Sequence, residues 1–324
     1  MSRIMSGIQP TGSLHIGNYL GALQNWVALQ DQFEAFYSIV DLHALTSRPD
    51  PEALRTAVRE IAIGLLASGI DPEKATLYVQ SRVPGHTELA WILTCLTPLG
   101  DLNRMTQFKD KSQNQPDNIN AGLFTYPVLQ SADILIHKAE RVPVGEDQEQ
   151  HLELVRELAR RFNTVYGETF PEPQVVRSPA PRVMGLDGDS KMSKSRSNEI
   201  GLFDRPEDVM SKLRGAKTDP ARLRRADPGN PEVCNIFNYH TFFTDAPTRA
   251  QIDQDCRSAA IGCVDCKKIL AASIESSIGP IREKAEQLRS NPSDVDEILA
   301  AGSERANLSA SQTLAEVSSR VGIR

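Results

Sequence analysis

Two short stretches of this chain carry residue types suited to handling a polyphosphate. Near the N-terminus, Gly7-Ile8-Gln9-Pro10-Thr11-Gly12-Ser13-Leu14-His15-Ile16-Gly17-Asn18 passes from a strand-like run through a glycine-punctuated turn into a helix start. Glycine lets the backbone approach a phosphate closely, and free N–H groups at a helix N-terminus supply donors and partial positive charge. Pro10 stiffens the entry, while Gln9 and Thr11 place polar side chains at the mouth. His15 and Asn18 lie three apart, so both can face one anion from the opening turn. Far downstream, Lys191-Met192-Ser193-Lys194-Ser195 sets two lysines around two serines, just after Gly185-Leu186-Asp187-Gly188-Asp189. Lysine ammoniums neutralise the charge that grows on a leaving pyrophosphate, and a flexible loop delivers them when nucleotide is bound. Taken singly, the first string also reads as a structural turn and the second as an exposed Lys/Ser loop.

Two further groups stand out. Asp133 follows Pro127-Val128-Leu129-Gln130-Ser131-Ala132, in the second half of an apolar run where an unpaired carboxylate is costly. It reads either as a helix-capping residue or as the polar reader of a ligand. Four of the five cysteines, Cys234, Cys256, Cys263 and Cys266, fall late in the chain with 21, 6 and 2 residues between them. The C-x-x-C pair at its end lets two thiolates bind one metal centre. In a reducing compartment the quartet reads as a metal or iron–sulfur site rather than two disulfides, or else as four unrelated buried thiols. Cys95, alone in an apolar helical stretch, reads as core. His43 and His86 have no partner that the sequence identifies. His151, Arg156, Arg160 and Arg161, on one helix, read as surface before RNA-facing.

The elements that must position these residues alternate in the first half. Arg3–Ile8, Ala35–Val40 and Thr76–Gln80 read as strands. Residues 17–30 carry Leu20, Leu23 and Val27 on one helical face, and 52–68 carry Leu54, Val58, Ile61 and Leu65, with Asp50-Pro51 as a start signal. Alternation of this kind predicts an α/β fold, a Rossmann-like parallel sheet with helices on both faces. Residues 91–136 interrupt it as a helical insertion between two halves of the sheet. After about Ser197, helical patterns at 206–213, 246–258, 266–287, 292–301 and 311–321 predict an all-helical second domain, 198–324, following a catalytic domain, 1–197. Ser293 and Ser309 are expected N-caps there, and Gly302 and Gly322 expected stops.

Length and composition fit that division. A chain of 324 residues is long for one core, and 40% hydrophobic with 24% charged residues is ordinary for a globular protein. No apolar run approaches the roughly 18 residues of a membrane span. The N-terminus enters a strand-like run at once, without signal-peptide anatomy, which predicts a cytoplasmic protein. A net charge of −6 argues against bulk electrostatic RNA binding. The local run Lys212, Arg214, Lys217, Arg222, Arg224 and Arg225 is either a solvated basic surface or an RNA contact.

Over essentially its whole length the chain resembles the bacterial tryptophanyl-tRNA synthetases, of class I. The strings that carry the resemblance are 6–12, 15–22, Val40-Asp41-Leu42-His43-Ala44-Leu45-Thr46, Ser131-Ala132-Asp133-Ile134-Leu135, Val142-Pro143-Val144-Gly145-Glu146-Asp147-Gln148 and 191–195. The resemblance implies ATP contacts from Gln9, Pro10, Thr11, Gly17, Asn18, Gly145, Glu146, Asp147, Val183, Lys191, Met192, Ser193, Lys194 and Ser195. It implies catalytic roles for His15, Asn18, Lys191 and Lys194, with Mg²⁺ bridging the phosphates. Asn18 stands where many class I synthetases have a second histidine.

By the same resemblance Asp133 accepts a hydrogen bond from the indole N–H of L-tryptophan. Gly7, Gln9, Tyr126, Gln130, Val142, Val144 and Gln148 complete that pocket, Tyr126 and Gln148 holding the ammonium and carboxylate ends. Met5 and Gln130 replace an aromatic and a methionine found in some relatives. The implied activity is attack of the tryptophan carboxylate on ATP, then transfer to tRNA(Trp). The tyrosyl enzyme shares the fold and both ATP segments. The resemblance further implies a homodimer through 91–136, and favours a 4Fe-4S cluster over zinc at Cys234, Cys256, Cys263 and Cys266.

Overall fold

A computed structural model describes every residue except 109–112, 114–115, 144, 146–148, 178–182, 324 and the side chain of 195. Val144, Glu146, Asp147 and Gln148 therefore lie outside the described residues. Five strands, β1 (Arg3–Ile8), β2 (Glu34–Ile39), β3 (Ala75–Val79), β4 (Arg141–Pro143) and β5 (Gln174–Val176), form one parallel sheet in the order β3-β2-β1-β4-β5. Ile4 pairs with Ala35, and Ile39 with Val79. Successive strand residues point to opposite faces. Ile4, Tyr37 and Leu77 enter one apolar cluster, and their neighbours Met5, Phe36 and Tyr78 enter another. Both faces are covered, so the strands are apolar throughout, as a buried parallel sheet requires.

On the first face lie residues 16–29 and the helix Pro51–Ala67. Residues 16–29 start α-helical, relax through a π-helical turn at Tyr19–Leu23, and resume at Gln24–Leu29. Pro51–Ala67 starts where the Asp50 carboxylate accepts the amides of Glu52 and Ala53 at 3.0 and 2.9 Å, with Pro51 on its first turn. The second face carries Gly85–Leu96, Ala121–Leu135 and Glu149–Tyr166. Within Gly85–Leu96 the buried stripe is His86, Leu89 and Leu93. Cys95 falls on the opposite side and is exposed, not core as the sequence suggests.

The described residues after β5 contain Pro206–Gly215, Asn235–Phe243, Ala246–Arg257, Cys263–Ser290 and Pro292–Val321, and no strand. Ile236, Tyr239, Leu270 and Ile274 join the same cluster as Ile4 and Leu65, so helical region and sheet share apolar contact. The last helix departs from expectation. Ser293, Gly302 and Ser309 interrupt nothing: one helix runs from Pro292 to Val321, and its N-cap position is Asn291. Gly302 sits against β3, where an added Cβ would come within 1.8 Å of the Leu77 carbonyl oxygen. Glycine is there for close packing, not as a stop. Ser309 is buried on the same helix. Gly322 does end it, with φ 79°. By lying along β3, the outermost strand, the helix covers an edge otherwise open to pairing.

Candidate active site

The sheet's strand order places β2 and β4 on opposite sides of β1. In open parallel sheets, ligands bind beyond the carboxyl ends of the strands at such a switch point. The glycine turn leaves β1 there. Thr11 N donates to Gln9 O at 2.9 Å, closing the turn, and Gly12 adopts φ 110°, a conformation that suits glycine. His15 and Asn18 then cap the helix reciprocally. His15 Nδ1 accepts from Asn18 N at 3.3 Å, and Asn18 Oδ1 accepts from His15 N at 3.1 Å. Neither the imidazole Nε2 nor the side-chain Nδ2 of Asn18 takes part in that box. Burial holds the His15 pKa below its ordinary value, Lys191 adds to the shift, and Glu199 partly opposes it. A shift in that direction favours the neutral ring, which can offer hydrogen bonds rather than charge.

The lysine loop lies directly on this turn. Ile16 N donates to Ile200 O at 3.0 Å, and Leu202 N to Leu14 O at 2.8 Å, so the chain following the loop pairs with the chain entering the helix. Met192 is buried and donates its amide to Val183 O at 3.0 Å. A Cβ on Gly17 would sit 3.4 Å from Met192 Cβ, and one on Gly12 would sit 2.9 Å from Lys194 Nζ. The Lys194 ammonium thus hangs over the glycine turn. Within the loop, the Asn198 side-chain amide donates to Asp187 Oδ2 at 2.7 Å, while its oxygen accepts from Ser193 N at 2.8 Å. Asn198, with further donors from Asp189 and Ser190, holds the Asp187 carboxyl down at about 2. Asn235 and Tyr239, from the helical region, donate to the Gly185 and Met184 carbonyls at 2.8 and 2.5 Å. Lys191 and Lys194 are exposed, Gln9 and Ser193 half-buried, Pro10 buried, and Gly7, Thr11 and Gly145 open to solvent.

Asp133, 2% exposed, lies inside the helix Ala121–Leu135 rather than at its cap, and its carboxylate is paired. Its Oδ2 contacts His43 Nε2 at 2.8 Å, and its Oδ1 accepts from Gln80 Nε2 at 2.7 Å. His86 Nδ1 also lies 2.8 Å from Oδ1, an ion-pair distance off the line of a straight hydrogen bond. Burial alone would raise the acid's pKa. The two rings close to its oxygens, His43 by a hydrogen bond and His86 by proximity, outweigh that and hold the carboxyl well below the usual carboxylate range. Ionised, the group can only accept, with about four lone-pair sites, so one more donor fits. Tyr126, one helical turn and more upstream, hydrogen-bonds its hydroxyl to His151 Nε2 at 2.9 Å, and burial pushes that phenol up to about 12. His151 is thus buried, not surface. A cleft of about 180 Å³ runs past His43 and Tyr126, walled by Leu42, Leu45, Thr46, Asn120 and Leu129. Met5 and Val142 are buried in the cluster beneath it, and Gln130 is half-buried.

With a phosphate-suited turn and a buried acceptor both at the carboxyl ends of the strands, the relatives become informative. Residues 1–278 match the family described as tRNA synthetases class I (W and Y). The chain belongs to this family. It is 50% identical to the tryptophan–tRNA ligase of Deinococcus radiodurans, across 99% of both chains. It is 45% identical to that of Thermotoga maritima, across 97% of each. Its fold matches the crystal structure of the Campylobacter jejuni tryptophanyl-tRNA synthetase complexed with ADP and tryptophan, with a TM-score of 0.92, 35% identity and 99% of each chain covered.

Other features of this synthetase lie in the helical region. Much of its basic run is satisfied internally. Lys212 pairs with Asp204 at 2.7 Å, Lys217 with Asp189, and Arg222 donates to the Arg225 and Ile261 carbonyls at 3.0 and 2.7 Å. Arg214, Arg224 and Arg225 are exposed. The cysteine thiols at 234, 256 and 263 lie close enough to Cys266 that their charges, added to burial, push its pKa up to about 12. Arg222 Nη1 points at Cys256 Sγ from 3.7 Å, and Cys266 Sγ meets His240 Nε2 at 3.3 Å. Among the described residues no set of three or more His, Cys, Asp or Glu is spaced as a formed metal site.

Gln80 is the residue that sequence reasoning missed, while His43 and His86 were singled out but given no partner. Gln80 follows the last residue of β3, and the carboxyl end of a parallel strand is the signal that could have found it. No helix among the described residues is long and apolar enough to cross a membrane.

Proposed function

We propose that this chain is a tryptophan–tRNA ligase, which activates L-tryptophan with ATP and transfers it to tRNA(Trp). The observation that carries the reading is the match along 99% of both chains to the Deinococcus ligase. Asp133 is the residue we assign to tryptophan, because a buried, ionised acceptor suits a ring whose one polar group is a donor. Phenylalanine would leave the same carboxylate one partner short, a type of site that rejects the analogue by roughly 10⁴ or more. Gly7, Gln9, Tyr126, Gln130, Val142, Val144 and Gln148 are proposed to line the rest.

The chemistry is a displacement at the α-phosphorus of ATP. A tryptophan carboxylate oxygen forms the new P–O bond. The bond to the bridging oxygen breaks, and pyrophosphate leaves with that electron pair. The glycine turn, with neutral His15 and Asn18, positions the triphosphate, while Lys191 and Lys194 offset the charge that collects on pyrophosphate. Mg²⁺ accompanying the nucleotide supplies further charge neutralisation when bound. The tRNA ribose hydroxyl then attacks the adenylate's carbonyl carbon and AMP leaves. The helical region, with its exposed Arg214, Arg224 and Arg225, is assigned to tRNA, and the enzyme to the cytoplasm.

Two finer proposals accompany this. The four cysteines hold a 4Fe-4S cluster, supported by four thiols within electrostatic reach of one another and an arginine aimed at Cys256 to balance thiolate charge. Iron and sulfide analysis of anaerobically prepared protein tests it, and stoichiometric zinc without sulfide would refute it. A homodimer forms through the region 91–136, supported by exposed Trp91, Leu99 and Ile119.

Pyrophosphate exchange with tryptophan, tyrosine and phenylalanine, followed by aminoacylation of tRNA(Trp), tests the main assignment. Exchange with tryptophan alone is expected. Equal exchange with tyrosine, or none with tryptophan, would overturn it.

A further inference from the structure

A chain of buried polar contacts leads away from Asp133, along one face of the sheet, to the C-terminal helix. His86 Nδ1 faces Asp133 Oδ1 at 2.8 Å, and its other nitrogen meets the Tyr78 hydroxyl at 3.2 Å. That hydroxyl meets His137 Nε2 at 3.0 Å, and His137 Nδ1 meets Ser309 Oγ at 3.1 Å. Arg3 Nη1 closes the far end, 3.5 Å from Ser309 Oγ and 3.0 Å from the His137 carbonyl. His86, Tyr78 and His137 have no exposed surface at all.

The two ends fix the direction of every proton between them. Arginine can only donate, and an ionised carboxylate can only accept. His86 must therefore carry its proton on Nδ1, which leaves Nε2 to accept from Tyr78. The Tyr78 oxygen then accepts from His137 Nε2–H, and His137 Nδ1 accepts from Ser309. Burial, with His86 alongside and the Arg3 charge, holds the His137 pKa well below its ordinary value, so the ring is neutral and has one acceptor nitrogen to offer. His137 is further pinned by stacking on Phe36, with ring centroids 4.3 Å apart.

We propose that Ser309, His137, Tyr78 and His86 form a one-directional hydrogen-bond wire whose last ring rests its Nδ1 against the Asp133 carboxylate as a close polar contact and thereby positions it, so that the seating of the C-terminal helix sets how well tryptophan is recognised. The inference rests on the assignment of Asp133 to tryptophan. Removing the Ser309 hydroxyl takes away the donor that fixes the His137 tautomer. The ring can then move its proton to Nδ1, Tyr78 can turn its hydrogen towards His137, and His86 loses the partner that holds its Nδ1–H towards the acid.

The test uses the full-length enzyme with Ser309→Ala, Ser309→Thr and Asp133→Asn. In pyrophosphate exchange, Ser309→Ala is expected to raise the tryptophan KM about fivefold, the scale of one hydrogen bond, with kcat and the ATP KM within about twofold. Ser309→Thr, which keeps the hydroxyl, is expected to restore it. Nitrogen-15 spectra of labelled histidines should show His86 as the Nδ1–H tautomer and His137 as the Nε2–H tautomer, the latter lost in Ser309→Ala. An unchanged tryptophan KM in Ser309→Ala, alongside a large loss in Asp133→Asn, would overturn the wire and leave the Asp133 assignment standing. An unchanged tryptophan KM in Asp133→Asn would overturn both. Equal losses of kcat and both KM values in the Ala and Thr variants would reduce Ser309 to a packing role and overturn the wire.

Discussion

Single side chains decide the division of labour between the two substrates. Asp133→Ala removes an acceptor held ionised in a buried site, and bonds to charged groups contribute about 1.5–3 kcal/mol. The expected result is a tryptophan KM raised roughly tenfold to a hundredfold with the ATP KM little changed, read by pyrophosphate exchange. Lys194→Ala should do the reverse. Its ammonium lies over Gly12, so kcat for exchange should fall by about 10²–10³, the usual cost of losing one charge-stabilising group, while tryptophan binding by calorimetry holds. The acid's depressed pKa also fixes a pH dependence. Folded Asp133 titrates below its ordinary 3.8, so its ionised form stabilises the fold at neutral pH, and that contribution is lost as pH falls through the depressed folded value. Tryptophan binding should therefore show no acid limb from Asp133 between about pH 5 and 8, which a titration of KM against pH checks.

At the scale of elements, Gly302 answers a packing demand that no side chain can meet. Gly302→Ala places a Cβ against the Leu77 carbonyl, which belongs to backbone and cannot rotate away, so the helix must lift from β3. A loss of about 1–3 kcal/mol is expected, measured as a lower denaturant midpoint, as for other overpacked sites. The same position shows where the sequence was misleading. A glycine inside a helical pattern reads as a stop, and only the approach of β3, more than two hundred residues earlier, gives it another purpose. Strands β1 to β3 were legible because each is five or six residues of apolar sequence. β4 and β5 have three residues each, too few for a periodicity to register. Asp133 was legible as a carboxylate in an apolar run. Its partners were not, since His43 and Gln80 lie 90 and 53 residues away and are brought to it only by the parallel sheet.

Across the whole molecule, the helix Gly85–Leu96 joins an outer surface to the proposed tryptophan site. Its inner stripe is His86, Leu89 and Leu93, and the first of these faces Asp133. Its outer side presents Trp91, 69% exposed, and Cys95, one turn apart, with Leu99 at 70% just beyond. Large apolar side chains grouped on one face are what a protein partner would cover, and a second copy of this chain is the partner proposed above. Trp91→Glu puts a charge where that contact requires burial, at a site whose exposure in the single chain means that folding itself should change by no more than about 0.5 kcal/mol. The expected outcome is a monomer by sedimentation with unchanged circular dichroism. Because the same helix carries His86, the monomer should also bind tryptophan more weakly, while the ATP segments, which this helix does not carry, keep their affinity. A dimer that persists in the variant would remove this face as the interface. A monomer with tryptophan affinity intact would show that the outer side of this helix and its His86 side act independently.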